Sequence, residues 1–411
     1  MIKELFTIQE VSDITGFSIA TVNSKIKNNE IETNDIGLCL LSSLLNNEHF
    51  QKMNENKWNK NIETIANKKY SIIELFAGAG GLAIGMEKAG FEAVLLNEWD
   101  KKACETLRQN RPEWNVIEGD VRNIDFKAYK GIDILSGGFP CQAFSHAGKR
   151  LGFKDTRGTL FFEFARAIKE SEPTIFFAEN VKGLLTHDNG NTMEVIKNVI
   201  EEIGYDLLDI NTINAMFYQV PQKRERLFIV GVKKGLLPPN YIFERPPYYN
   251  TIYTLKDVLY KSDLFSTDVP LSNKKEYPKR KKEIMDLVPQ GGCWKDLPEE
   301  IQKEYMGKSF YSGGGKTGMA RRLSLNSPSL TLTCSPAQKQ TERCHPLETR
   351  PLSVREYARI QTFPDDWIFS GGTDAQYKQI GNAVPVNLAY AMGKSLIKLL
   401  NDIGKIKDKN L

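Results

Sequence analysis

The chain has 411 residues, a net charge of +4 and 26% charged residues, enough for two or three domains with real cores and no announcement of nucleic-acid binding beyond a possible local basic face. Its six cysteines are scattered without a CxxC pair, which argues against a disulfide framework or a zinc ribbon and for reduced thiols in a cytoplasm. The N-terminus has no signal-peptide core, and no apolar run of roughly 18 residues exists to span a membrane.

Residues 1–45 read as a small helical unit. Thr7 and Glu10 form a capping-box pattern that opens a helix with Ile8, Val11 and Ile14 on one face. Gly16 ends it, and Ser18 caps a second helix with Ile19, Val22 and Ile26 inward and Asn23, Lys25, Lys27 and Asn28 to solvent. Two short helices around a glycine resemble a helix-turn-helix DNA reader; a plain helical hairpin used for docking fits the same pattern. Residues 46–70 are rich in Asn, Lys and Glu and read as a linker or solvated helix.

From Ser71 the texture changes. Ile72–Phe76 is an apolar strand interrupted only by Glu74, followed by the loop Ala77-Gly78-Ala79-Gly80-Gly81 and a helix to Ala89. A second strand, Ala93–Leu96, ends in Asn97-Glu98-Trp99-Asp100. Glycines let a ligand approach the backbone at a helix N-terminus, and an acid about 20 residues on can hold ribose hydroxyls. Gly78 and Glu98 have that spacing, which suits NAD, FAD or S-adenosylmethionine alike.

Strand–helix alternation continues. Val116-Ile117 leads to Gly119-Asp120-Val121, where an acid past a strand end can take an adenine amino group. The run Ile132–Leu135 leads to Gly137-Gly138-Phe139-Pro140-Cys141-Gln142, a thiol placed at a strand terminus as a nucleophile would be. A small buried residue in a turn fits the stretch Gly137–Ser145 equally. A helix from Leu160, the strand Thr174–Ala178 ending in Glu179-Asn180-Val181, a helix from Met193, a strand Tyr205–Asn211, the basic run Gln222-Lys223-Arg224-Glu225-Arg226 and a strand Leu227–Val232 follow. Such repetition predicts a doubly wound α/β sheet with its ligands beyond the C-terminal strand ends.

Residues 233 to about 348 lose the alternation: prolines, charges and turn glycines dominate, with short β-like pieces such as Ser329–Thr333. Cys334, Cys344 and His345 match no common zinc spacing, so no metal is expected. Order returns with a helix capped by Ser353 and with Gly381-Asn382-Ala383-Val384-Pro385, which leads a helix from Val386.

Taken together, Phe76–Gly81, Asn97–Asp100, Gly119-Asp120, Gly138–Gln142, Glu179-Asn180-Val181, Gln222–Arg226, Arg350–Glu356 and Gly381–Val384 resemble, in order, the motifs of the DNA (cytosine-5) methyltransferases of restriction-modification type. The resemblance covers Ser71 to about Leu400. It implies a Rossmann-like S-adenosylmethionine-dependent methyltransferase fold at 71–235 and 349–411. It further implies a mostly irregular or β target-recognition domain at 236–348, after the helical unit at 1–45 and the linker at 46–70.

The resemblance makes Cys141 the nucleophile for cytosine C6 and places Glu179 on the N3 and 4-amino edge. It gives Arg226 to O2 and Arg224 a place nearer the backbone phosphate. On the cofactor side it implies Phe76, Ala77, Gly78, Gly80, Gly81, Glu98, Trp99, Asp120, Val121, Pro140, Asn382 and Val384. DNA contacts are expected from Gln142, Ser145, Lys149 and Arg150 in the loop after Cys141, and from Arg321, Arg322, Gln338 and Lys339 in the recognition segment. The implied partner is double-stranded DNA, with a restriction endonuclease as functional but not stable partner, in a bacterial cytoplasm at the nucleoid. Relatives that methylate tRNA, a flavin or nicotinamide oxidoreductase, and a non-catalytic DNA-binding regulator are the competing readings.

Overall fold

A computed structural model of the chain describes residues 2–55, 57–140, 160–311 and 317–409. The chain divides into two compact units, one of residues 62–215, 224–246 and 366–411, the other of residues 1–61, 216–223 and 247–365. Among the described residues no helix is long and apolar enough to cross a membrane.

The first unit is built on a seven-stranded sheet. Its strands are β1 (Tyr70–Leu75), β2 (Phe91–Glu98), β3 (Val116–Glu118), β4 (Ile134–Gly137), β5 (Ile175–Val181), β6 (Tyr205–Asn214) and β7 (Glu225–Lys233). Their order is β3-β2-β1-β4-β5-β7-β6. Continuous apolar runs such as Ile72-Ile73 and Phe176-Phe177 are buried because helices cover both faces. Phe161, Phe164 and Ile168 of the helix Leu160–Ser171 pack into the same core as Ile73, Leu135 and Phe176. Burying each such side chain contributes on the order of 1.5–3 kcal/mol.

The sheet is mixed, whereas uninterrupted alternation predicts parallel strands throughout. β7 inserts antiparallel between β5 and β6. The connection from β6 carries no crossover helix, and a parallel return needs one. This reversal matters for function, since it brings the start of β7 beside the C-terminal end of β5.

One close approach fixes the helix Gly81–Ala89 against the C-terminal helix Val386–Lys409. A Cβ at Gly85 would lie 2.3 Å from Ala389 Cβ and 2.7 Å from Tyr390 N, so only glycine admits this contact.

In the second unit the two N-terminal helices form where their caps predict, Ile8–Thr15 and Ile19–Lys27, with Gly16 at φ 75° between them. Thr7 and Glu10 make the full capping box. The expected inner face of the second helix is only partly realised: Val22 is buried but Ile19 is 44% exposed. Leu5–Phe6 and Cys39–Leu40 pair as a small antiparallel ladder.

The expected linker at 46–70 is instead packed structure. It holds helices at Glu48–Asn54 and Trp58–Ile62, and Phe50, Met53 and Trp58 are buried. His49, Phe217 and Tyr248 stack in series, with Phe217 and Tyr248 ring centroids 4.1 Å apart. Asp13 pairs with Lys223. The N-terminal residues therefore belong to the same unit as residues 247–365. The described residues of that segment are mostly irregular, with short helices and a two-residue strand, Ser329–Leu330, parallel to Gln222–Lys223.

Candidate active site

The C-terminal ends of β1, β2, β4 and β5, the start of β7 and residues 378–384 surround a cavity of about 760 Å³. Of the residues expected there, Phe76, Ala77, Gly78, Gly81, Glu98, Trp99, Pro140, Asn382 and Val384 line it, as do Glu179, Arg224 and Arg226. Cys141, Gln142, Ser145, Lys149 and Arg150 lie outside the described residues.

At the end of β1 the backbone turns sharply. Phe76 has φ 60° and Gly78 φ 56°, the first a strained conformation of the kind found at functional sites. A Cβ at Gly78 would meet nothing within 4 Å, so this glycine leaves open space at the loop. Glu98 holds the loop in place: its carboxylate accepts from Gly78 N at 2.7 Å, Trp99 N at 2.8 Å and Asp100 N at 2.7 Å. Carboxylate oxygens have further acceptor positions beyond these, so Glu98 can still receive hydroxyl donors. Trp99 is 70% exposed and offers an open aromatic face. Gly80 does not line the cavity. It caps the following helix at φ 87°, and a Cβ there would press to 2.8 Å from Leu107, so it serves packing.

Asp120 and Val121 are not brought into this cavity either. Asp120 borders a second cavity of about 330 Å³, and its carboxylate is bound by the Arg122 guanidinium, which holds it below the ordinary carboxylate range. Val121 is a core side chain whose carbonyl accepts from Arg166.

Glu179 and Arg226 meet because of the antiparallel register. Glu179 lies opposite Phe228, so Arg226, two residues earlier on β7, shares its face in the diagonal position. Arg226 Nε sits 2.8 Å from Glu179 Oε1, and each side chain is 14% exposed. Burial pushes the Glu179 carboxyl up against the opposing charges of Arg226 and Arg224. Burial likewise pushes the Arg226 guanidinium down against the opposing charge of Glu179.

Arg224 has a different place from the expected one. It is fully buried, and its Nη2 donates to the carbonyls of Gly381 and Ala383 at 3.0 Å each. It holds the turn that carries Asn382 and Val384. Arg322 is also buried (5%), bonded to backbone carbonyls and Thr349 Oγ1, so it is an internal anchor and no DNA contact. Gln338 and Lys339 are exposed.

Two further residues enter the site. Asn180 Nδ2 donates to Phe139 O at 2.8 Å and so fixes the segment that leads through Pro140 to Cys141. Glu74 is buried (4%) on β1, lines the cavity, and is pushed well up by burial and by the charge of Glu98. Its one signal in the sequence is a carboxylate inside an apolar strand.

Comparison with known proteins agrees with this geometry. A family model described as C-5 cytosine-specific DNA methylase matches residues 70–398. The Type II methyltransferase M.Eco47II of Escherichia coli is 58% identical, covering 98% of both chains. M.HhaI of Haemophilus parahaemolyticus is 36% identical over 79% of this chain and 94% of its own. A crystal structure from E. coli, described as a DNA modification methyltransferase encoded within a prophage, superposes with a TM-score of 0.62 at 26% identity, covering 81% of this chain and all of its own. The chain belongs to the C-5 cytosine-specific DNA methylases, enzymes that move the methyl group of S-adenosylmethionine to C5 of cytosine in DNA.

Proposed function

We propose that this chain methylates a cytosine swung out of duplex DNA, through a covalent bond between Cys141 and C6 of the base. The Glu179–Arg226 pair at 2.8 Å, beside the glycine loop, carries the reading. It offers a carboxyl that burial holds above its ordinary range and a charged donor, on one face of one sheet.

The cavity fits the methyl donor. Its open glycine at Gly78, the Glu98 carboxylate and the exposed Trp99 ring suit a nucleoside. The buried Glu74 carboxyl lines the same cavity. When bound, the donor supplies an electrophilic methyl group.

The rest of the chemistry belongs to the chain. The Cys141 thiolate forms a bond to C6, and the electron pair of the C5–C6 double bond becomes available at C5. Protonated Glu179 donates to N3, and Arg226 donates to O2, so charge developing on the ring is met by groups already in place. Once C5 carries the methyl group, its proton leaves to a base, the C6–S bond breaks and the thiolate returns. Arg224 and Asn180 are positioning residues, one for the 381–383 turn and one for the segment before Cys141. The target atom is out of reach inside a duplex, so the base leaves the stack. Gln142, Ser145, Lys149 and Arg150 follow Cys141 closely in the sequence, and we assign them to contacts with the DNA around that base.

Type II methyltransferases among the relatives support a protective role against a cognate restriction endonuclease, exercised in the cytoplasm at the nucleoid. The N-terminal helices support an accessory role within the recognition unit more than separate operator reading. They share that unit, and residues 1–45 carry Glu4, Glu10, Asp13, Glu30, Glu32 and Asp35 against Lys3, Lys25 and Lys27, a poor footprint for phosphates.

The test is a DNA substrate with 5-fluorocytosine at the target. Fluorine cannot leave C5 as a proton does, so the C6–S bond persists and a protein–DNA band survives denaturing electrophoresis. The band is expected with the wild-type chain and absent with Cys141→Ser. Methylation by Cys141→Ser would sink the mechanism.

A further inference from the structure

Arg321 and Arg322 stand side by side in the recognition unit, and the fold separates them completely. The Arg322 guanidinium donates to Val288 O at 2.8 Å, Met285 O at 2.7 Å and Thr349 Oγ1 at 2.7 Å. Its backbone is tied to Gly292 O at 3.1 Å and bridged to Cys344. Arg321 is held by the same frame, with its carbonyl accepting from Cys344 N at 3.0 Å. Its own guanidinium has no carboxylate and no hydrogen-bond acceptor among the described residues, and its Nε is shielded from solvent without a partner. The nearby charge belongs to Arg343, which is itself occupied by Thr331 O at 2.6 Å and Glu342 O at 2.7 Å.

A shielded donor left unmet is costly, and buried polar groups nearly always find partners. Here the described residues supply rigidity and a second positive charge but no acceptor. A partner from outside the chain would have to accept from a planar fork of N–H groups. Guanine O6 and N7 form such an acceptor in the major groove, and a phosphate offers a similar one. Arg321 is half-buried on a fixed backbone, unlike a solvated lysine that follows a phosphate wherever it lies. We propose that Arg321 is a specificity-determining residue that reads a guanine of the target sequence, an inference that rests on the DNA methyltransferase reading.

The experiment compares wild type, Arg321→Ala and Arg321→Lys by bisulfite sequencing of DNA from expressing cells. It adds kcat/KM on duplexes in which each G·C pair of the site is replaced in turn. Arg321→Ala is expected to lose about 10- to 100-fold on the native site and to accept replacement at one G·C pair. Binding of S-adenosylmethionine and thermal unfolding stay as in wild type, which separates lost reading from lost folding. Arg321→Lys keeps the charge and is expected to fold but not to restore discrimination at that pair. An unchanged site and rate in Arg321→Ala overturns the inference. So does a uniform loss on all sequences that low salt repairs, which marks a phosphate contact, and so does full rescue by Arg321→Lys. A wild-type chain that methylates no cytosine instead overturns the methyltransferase reading beneath it.

Discussion

Two carboxylate–guanidinium pairs in this molecule use the same groups to opposite ends. Glu356 and Arg350, in the unit that holds residues 247–365, are bound twice, at 2.7 and 2.8 Å. Glu356 also accepts from Ser353 N at 2.7 Å, closing the capping box of the helix Val354–Ile360. Burial works against the charge of Arg350, but the hydrogen bonds it donates to Glu356 and Glu348 prevail and hold it above its ordinary range. Glu179 and Arg226, in the sheet unit, face a cavity, and there burial prevails over attraction for both partners. A saturated pair secures structure; an under-compensated pair beside open space is poised for a ligand and a proton.

The comparison breaks first at Glu179. Glu179→Gln keeps the size of the side chain but removes its proton chemistry, so kcat is expected to fall on the order of 10²- to 10⁴-fold. Thermal unfolding and equilibrium binding of S-adenosylmethionine should barely move. A variant with near wild-type kcat would show that this pair, too, is only structural.

Next is the converse substitution. Glu356→Ala leaves Arg350 buried with one partner fewer and opens the capping box. Breaking a buried pair from one side costs about 3–5 kcal/mol, readable as a lower midpoint in urea unfolding. Where the variant remains folded, kcat should stay near that of wild type. A large loss of kcat without loss of stability would erase the distinction between the two pairs.

The contrast also shows what one-dimensional reading can reach. The glycine loop, the acid at Glu98 and the strand ending at Glu179 announce themselves through spacing and periodicity, which are local properties. The antiparallel turn of β7 does not, because strand direction depends on what the connection crosses rather than on the strand itself. For the same reason Arg224 and Arg226, or Arg321 and Arg322, look alike in the sequence. What separates them is which carbonyls lie within reach, and those come from residues such as Gly381 and Val288, far along the chain. Phe50, Met53 and Trp58 did carry an apolar signal within 46–70, but the surrounding Asn, Lys and Glu masked it.

The smallest expected effect is a displacement along the pH axis, and its sign discriminates between the two pairs. Burial raises Glu179, while the charge and hydrogen bond of Arg226 lower it. Arg226→Ala removes only the lowering influences, so the Glu179 carboxyl should titrate at higher pH than in wild type. The side-chain ¹³C shift of labelled glutamate, compared with Glu179→Gln to assign the signal, measures this directly. Linkage gives a second readout. The folded chain holds this proton more tightly than the unfolded chain does, so stability should decline as pH rises from the ordinary glutamate value through the raised one. That slope should steepen in Arg226→Ala and vanish in Glu179→Gln. A downward move of the Glu179 titration in Arg226→Ala would mean that Arg226 does not stabilise the carboxylate at all, and the pair would lose its role as a tuned donor and charge.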